Sequence, residues 1–309
     1  MRKQGRIVKV IVQSLAAAAA TYHTAHAQSP FPAVDIYVAD LAGAGCPCAP
    51  VNVTHRAGYD NQPHFLPGGT ALLYTAADDG GRTDIFRVRL ATGQIERITA
   101  TPESEFSPTL MPDRRRVSVV RIEPDLKQHL WSFPLPRGRG NLPVMNYAFQ
   151  RMLEALEPVG YHVWLDDHTL ALFVLGEPNS LYLANVATGK YEKIAGPIGR
   201  SLQRIPGTRR VSFVDLSVEK DTRIRSFDPD THAVTDLVRP LRSGDVDFAW
   251  TPDGRIVMAN EGMLMAWDSK NDGTWLPFAD FTKAGLKNIT RLAFSADGKR
   301  VALVAADGP

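Results

Sequence analysis

Short apolar runs punctuate the chain at Leu72 to Thr75, Val117 to Val120, Leu170 to Val174, Val211 to Val214, Ile256 to Met258 and Val301 to Val304. Their length and β-branched content predict strands. Each run follows a turn phrase in which Pro or Asp sets the first corner and Gly supplies the unusual backbone angle. The six copies are Phe65-Leu66-Pro67-Gly68-Gly69, Leu110-Met111-Pro112-Asp113-Arg114, Trp164-Leu165-Asp166-Asp167-His168, Arg204-Ile205-Pro206-Gly207-Thr208, Trp250-Thr251-Pro252-Asp253-Gly254 and Phe294-Ser295-Ala296-Asp297-Gly298. An apolar or aromatic residue stands two places ahead of the corner in every copy but the fourth, where Arg204 breaks the pattern.

After each apolar run comes a strand of alternating character, such as Asp84-Ile85-Phe86-Arg87-Val88 or His129-Leu130-Trp131-Ser132-Phe133. Alternation with period two means one packed face and one wetter face. A Thr-Gly turn follows at Thr92-Gly93 and at Thr188-Gly189, and a fourth strand closes the unit, as in Gln94 to Thr99 and Lys190 to Ala195. Four short strands repeated at roughly 40 to 50 residues describe the blades of a propeller.

The last copy supplies only two strands before the chain stops at Pro309. The missing pair stands at the other end, in Asp35 to Leu41 and Val51 to Thr54. The expected fold is therefore all-β: a six-bladed β-propeller whose last blade is closed by N-terminal strands, leaving no free sheet edge between the chain's two ends. One interval is longer than the rest. Apolar residues at positions 145, 149, 152, 153 and 156 form a helical stripe, predicting a short amphipathic helix inserted at about 145–157.

The units resemble the WD-like propeller repeats of the TolB family. Asp60 to Thr99, Glu105 to Asp113, Asp245 to Gly254 and Asn288 to Gly298 carry the resemblance best, with Asp35-Ile36-Tyr37 and Asp84-Ile85-Phe86 matching that family's Asp-Ile-Tyr strand. The resemblance covers nearly all of residues 30–309 and implies the propeller fold, with a binding or scaffolding role in the cell envelope. It extends only to the propeller: the α/β domain that precedes the propeller in TolB is not expected before Asp35. Nor is the hydrolase domain that follows a similar propeller in prolyl-oligopeptidase-type peptidases.

The first 27 residues stand apart from the repeats. Arg2, Lys3, Arg6 and Lys9 form a basic start, an apolar stretch follows, and Ala25-His26-Ala27 fits a small-x-small cleavage site. This is the layout of a secretory signal peptide over 1–27, with a single propeller domain over 28–309 and a periplasmic or secreted location. The apolar stretch is interrupted by Gln13 and Ser14 and is too short for a bilayer span, so no membrane segment is expected after leader removal. Removing four basic and no acidic residues leaves 31 basic against 33 acidic, and the formal charge moves from +2 to −2. No basic face for nucleic acid is implied, and Arg114-Arg115-Arg116 reads as a solvated cluster beside a turn. The two cysteines, Cys46 and Cys48, read as a loop disulfide or two free thiols. A bridge between them would close a small strained loop, and two thiols alone do not make a zinc site.

Catalytic signatures are sparse. No Gly-x-Ser-x-Gly elbow occurs; Gly199-Arg200-Ser201-Leu202-Gln203 lacks the second glycine. The more informative residues lie just ahead of each blade's first strand. Asp60, Glu105 and Asp245 all stand seven places before the turn's corner, and Asn61, Tyr161, His162, Asp247 and Asn288 lie nearby. Carboxylates and amides converging from different blades are the chemistry of a hard cation such as calcium, so Asp60, Glu105, Asp245 and Asn288 are the candidate metal ligands at the channel rim. The alternative role for these acids is to cap strand ends and bond neighbouring blades.

Two functions follow as expectations. The first is an exported, non-enzymatic, monomeric binding or scaffolding propeller that takes envelope proteins or a small polar ligand. The second is a metal-dependent lactonase or hydrolase with its site at the channel rim.

Overall fold

The computed structural model describes residues 31–41, 49–136, 143–270 and 273–306. The proposed leader and both cysteines lie outside the described residues. Within them the chain forms six four-stranded antiparallel sheets. Blade one is Asp60–Phe65, Ala71–Ala77, Thr83–Arg89 and Gln94–Arg97. The second to fifth blades follow in chain order, each with its first strand innermost.

Blade six joins the two ends of the chain. Val34–Asp40 lies between Val51–Asn52 and the C-terminal strand Arg300–Ala306, with Arg291–Phe294 innermost. The junction is antiparallel over seven pairs, from Val34 opposite Ala306 to Asp40 opposite Arg300. All-β six-bladed architecture with N-terminal closure is thus observed as the repeat count predicted.

The turn phrase builds the same β-turn in five blades. The amides of Gly69, Arg114, Thr208, Gly254 and Gly298 each donate to the carbonyl three residues back, at 2.9–3.2 Å. Gly254 and Gly298 sit at φ 91° and 70°, where glycine avoids a Cβ clash. Arg114 takes the same left-handed region at φ 56° with a full side chain. In blade three no glycine is present, and the Asp166 carboxylate accepts from the amides of His168 and Thr169 at 2.9 and 2.8 Å.

The core is divided into six clusters, one between each pair of neighbouring blades. Successive side chains point to opposite sheet faces, so each second strand feeds two clusters. Leu72, Tyr74 and Ala76 pack toward blade six, while Leu73 packs toward blade two. Val301, Leu303 and Ala305 face blade five, while Ala302 and Val304 face blade one. Both faces are dry, which is why these strands are mostly apolar and their polar side chains, such as Thr75 and Ser118, are hydrogen-bonded. In five blades the residue two places ahead of the turn enters the interface with the preceding blade: Phe65, Leu110, Trp164, Trp250 and Phe294 do so, while Arg204 of blade four is exposed. No helix among the described residues is long and apolar enough to cross a membrane.

The helix expected over 145–157 is not formed. Asn146–Ala148 makes a single 3-10 turn, and Gln150–Met152 is a strand pairing with Leu130 to Ser132 as the outer edge of blade two. The apolar residues do not share one face. Phe149 is buried between blades one and two, whereas Leu153 and Leu156 are buried between blades two and three. The segment crosses its blade from one interface to the next, and the need for a fourth strand overrides the helical spacing.

Candidate functional site

The six innermost strands surround a central channel with a cavity of about 640 Å³. Two levels of its wall can be read from the repeat. Five residues before the turn corner stand Gln62, Ser107, Tyr161, Ser201, Asp247 and Arg291; three before it stand His64, Thr109, Val163, Gln203, Ala249 and Ala293. All twelve line the cavity.

The first of these rings holds the strongest electrostatics. Arg291 Nη2 donates to the Tyr161 hydroxyl at 2.8 Å, across the channel from blade six to blade three, and its guanidinium carbon lies 5.0 Å from the Tyr161 ring centroid. The neighbouring Tyr161, Asp247 and Tyr59 oxygens outweigh burial and hold Arg291 firmly cationic. Arg200 is fixed by Asp245: its backbone N–H donates to Oδ1 at 2.9 Å and its Nε to Oδ2 at 2.7 Å. Burial pushes the His64 and His162 imidazoles down to about 4 and about 3, so both are neutral at ordinary pH.

The residues proposed as cation ligands are distributed among different blade junctions. Asp60 is fully buried beside blade six; Arg56 Nε donates to its Oδ1 at 2.8 Å, and burial pushes it up to about 6 against that cation. Asp35 stands close enough to raise it further. Glu105 is fully buried between blades one and two, where it accepts from the hydroxyls of Thr99, at 3.1 Å, and Thr101. Burial pushes it up to about 8, helped by the Asp84 carboxylate.

These two neighbourhoods are copies of one another. Thr54 Oγ1 donates to Asp35 and accepts from the Ile36 amide; Thr99 Oγ1 accepts from the Ile85 amide and stands 3.4 Å from Asp84 Oδ1. In each case the acid six residues after the threonine completes the junction. Asp245 instead holds Arg200 at the junction of blades four and five. Asn288 is exposed on the loop between blades five and six, at φ 50°. Among the described residues no group of three or more His, Cys, Asp or Glu is arranged to hold a metal ion. Ser201, in the nearest approach to a nucleophile elbow, is buried within the strand Ile198–Arg204 rather than on a sharp turn.

Arg200, Arg291 and His64 escaped the sequence-based selection. A signal for Arg291 was present: it falls two places downstream of the position of the aligned acids, five before the turn corner, the offset whose residues line the channel in every blade. Arg200 stands one place ahead of that register, within the irregular stretch of its strand between Ile198 and Leu202.

No protein-family model matches the chain, and no curated protein matches it. Solved structures match its fold. Putative TolB from Agrobacterium tumefaciens superposes with a TM-score of 0.66 at 13% identity, covering 90% of this chain and 99% of that one. TolB from Acinetobacter baumannii gives 0.56 at 13% identity, covering 90% of this chain and 64% of that one. A gluconolactonase from Xanthomonas campestris gives 0.54 at 13% identity, covering 89% and 97%. At these identities the likeness is one of fold: a six-bladed propeller resembling the TolB propeller domain, shared with an enzyme of different chemistry.

Proposed function

We propose that the chain is an exported, non-enzymatic binding propeller of the cell envelope, with the central channel as its recognition site. The observation that carries this reading is the channel wall. It presents Arg291, Asp247, Gln203 and Thr109 to a cavity of about 640 Å³, whereas Asp60 and Glu105, two of the candidate cation ligands, are buried between blades. A ligand cavity of this kind needs a few convergent polar groups on a rigid scaffold, and the closed ring supplies that rigidity. Export rests on the basic, apolar and small-residue order of the first 27 residues. The TolB likeness is consistent with an envelope role. The lactonase reading is second: Asp247 is the acid that faces the channel without an ion-pair partner among the described residues, yet one carboxylate makes a weak site for a hard cation.

The test combines location with capture. Cell fractionation should find the protein outside the cytoplasm with a mature N-terminus at Gln28. Immobilised mature protein should retain an envelope component that a Thr109→Arg variant, with the channel filled, releases. An uncleaved cytoplasmic protein, or equal retention by both forms, would overturn the reading.

A further inference from the structure

At the end where the inner strands begin lies a second and smaller cavity of about 110 Å³, walled mainly by blades two and three and reached by Gln62, Arg200 and Asp245 from other blades. Its apolar wall is Phe106, Val120, Phe173 and Leu175. Gly160 belongs to the same wall. A Cβ there would stand 2.8 Å from the Phe173 ring, so the missing side chain is what lets that ring sit where it does.

The polar residues facing this space are Gln62, Gln128, Tyr161, Asn179 and Arg200, with the Asp245 carboxylate committed to Arg200 beside them. Gln128 is only 3% exposed, and among the described residues its carboxamide makes no hydrogen bond. Its carboxamide therefore turns to whatever fills the cavity, water or ligand. Gln62 has its Oε1 committed to the Thr75 hydroxyl at 2.8 Å and the Ser107 amide at 2.7 Å, which leaves its NH2 group toward the cavity. Asn179 accepts from the Gly176 amide through Oδ1, leaving its NH2 as well. Arg200 uses its backbone N–H and Nε on Asp245, and its two terminal nitrogens make no hydrogen bond among the described residues. The Tyr161 hydroxyl accepts from Arg291 and retains its own proton to donate.

The uncommitted groups are therefore mostly donors, one of them cationic, beside an apolar wall. We propose that this cavity binds a short-chain monocarboxylate, with the carboxylate on Arg200 and the cavity's amide donors and the hydrocarbon tail against Phe106, Val120 and Phe173. A guanidinium held from one side by Asp245 is pre-organised to accept a second carboxylate on its free edge. A cavity of about 150 Å³ accommodates benzene, so this one takes a ligand of roughly four to six heavy atoms. The site shares Gln62, Tyr161 and Arg200 with the large channel cavity, whereas Gln128, Asn179 and the apolar wall line only the smaller one, so butyrate binding is read independently of any envelope partner.

Sodium butyrate is the probe, with butyramide as the neutral isostere and sodium chloride at equal ionic strength as the blank, titrated into purified mature protein and followed by NMR. The expected result is saturable binding with a dissociation constant on the order of 0.1–1 mM. Butyramide should bind at least tenfold more weakly. Arg200→Gln should weaken butyrate at least tenfold. Gln128→Leu should weaken it several-fold while leaving the thermal midpoint at or above that of the unsubstituted protein, because it removes a buried amide that no protein group satisfies. No saturation up to tens of millimolar, equal affinity for butyramide, or unchanged affinity in Gln128→Leu would each overturn the proposal.

Discussion

The indole N–H of Trp164, on the first strand of blade three, donates to the Ser118 hydroxyl on the second strand of blade two at 2.9 Å. The bond recurs two blades on, where Trp250 donates to Ser212 at 2.8 Å. Each serine in turn donates to a carbonyl of its own first strand, Thr109 or Gln203. His162 Nε2 lies 2.7 Å from Ser118 Oγ, completing the hydroxyl's capacity of two acceptances and one donation. The tryptophans ahead of the turn in blades three and five thus tie their blades to the preceding ones by packing and by a directed bond.

Trp164→Phe keeps most of the ring's packing and removes the donor. The expected loss is about 1–2 kcal/mol, read from the midpoint of urea denaturation. Trp250→Phe should cost a similar amount, and the double variant should lose the sum to within about 0.5 kcal/mol, since the two bonds belong to different interfaces. No change in either single variant would show that the bonds do not contribute.

Stability should fall between neutral and alkaline pH. Burial raises Glu105 from an ordinary 4.5 to about 8, so the folded protein holds this proton more tightly than the unfolded chain. The contribution is full below about 4.5 and is lost as pH rises through about 8. Asp60, raised to about 6, acts in the same direction. His64 and His162 act oppositely: held neutral in the fold, they favour it above 6.5, and that contribution fades as pH falls toward about 4 and about 3. The sum places maximum stability near pH 6.5. Glu105→Gln should remove about 2 kcal/mol of the decline between pH 6.5 and 8.5, measured by chemical denaturation at both values. An unchanged slope would contradict the assignment.

Gly262 turns the hairpin between Ile256–Asn260 and Met263–Trp267 under the loop that leads to blade six. Phe281 and Ile289 donate to the carbonyls of Gly262 and Glu261, drawing that loop down onto the turn. A Cβ at Gly262 would lie 2.3 Å from the Leu286 carbonyl oxygen. Gly262→Ala should cost about 3 kcal/mol, with hydrogen exchange rising first across residues 281–289. A thermal midpoint equal to that of the unsubstituted protein would show that the loop yields freely.

Much of the fold was legible because propeller repeats impose local and periodic demands. The turn corners, the aromatic residues ahead of them and the doubly buried second strands all leave marks at fixed offsets. Closure by Val34–Asp40 was legible because Asp35-Ile36-Tyr37 copies Asp84-Ile85-Phe86. The helix expected near Met145 fails because a spacing of three and four also suits a segment that buries Phe149 on one side of a blade and Leu153 on the other. The acids at 60 and 105 were legible as a pair, but their sequence alignment is equally that of a repeated blade junction. The threonines at 54 and 99 and the aspartates at 35 and 84 are the marks that distinguish a junction from a rim. The smaller cavity has no sequence signature, since Gln62, Gln128, Asn179 and Arg200 come from four different blades.

Ring closure underlies every other claim, because the channel and its wall exist only if the N-terminal strand completes blade six. Native-state hydrogen exchange resolved by peptide mass measures it directly. The amides of Val34–Asp40 paired to Arg300–Ala306 should exchange as slowly as those of Ala71–Ala77 at the centre of blade one, and Ile36→Asp should release both Val34–Asp40 and Arg300–Ala306 together. Exchange of Val34–Asp40 within seconds, while the rest of the ring stays protected, would contradict the closed six-bladed ring.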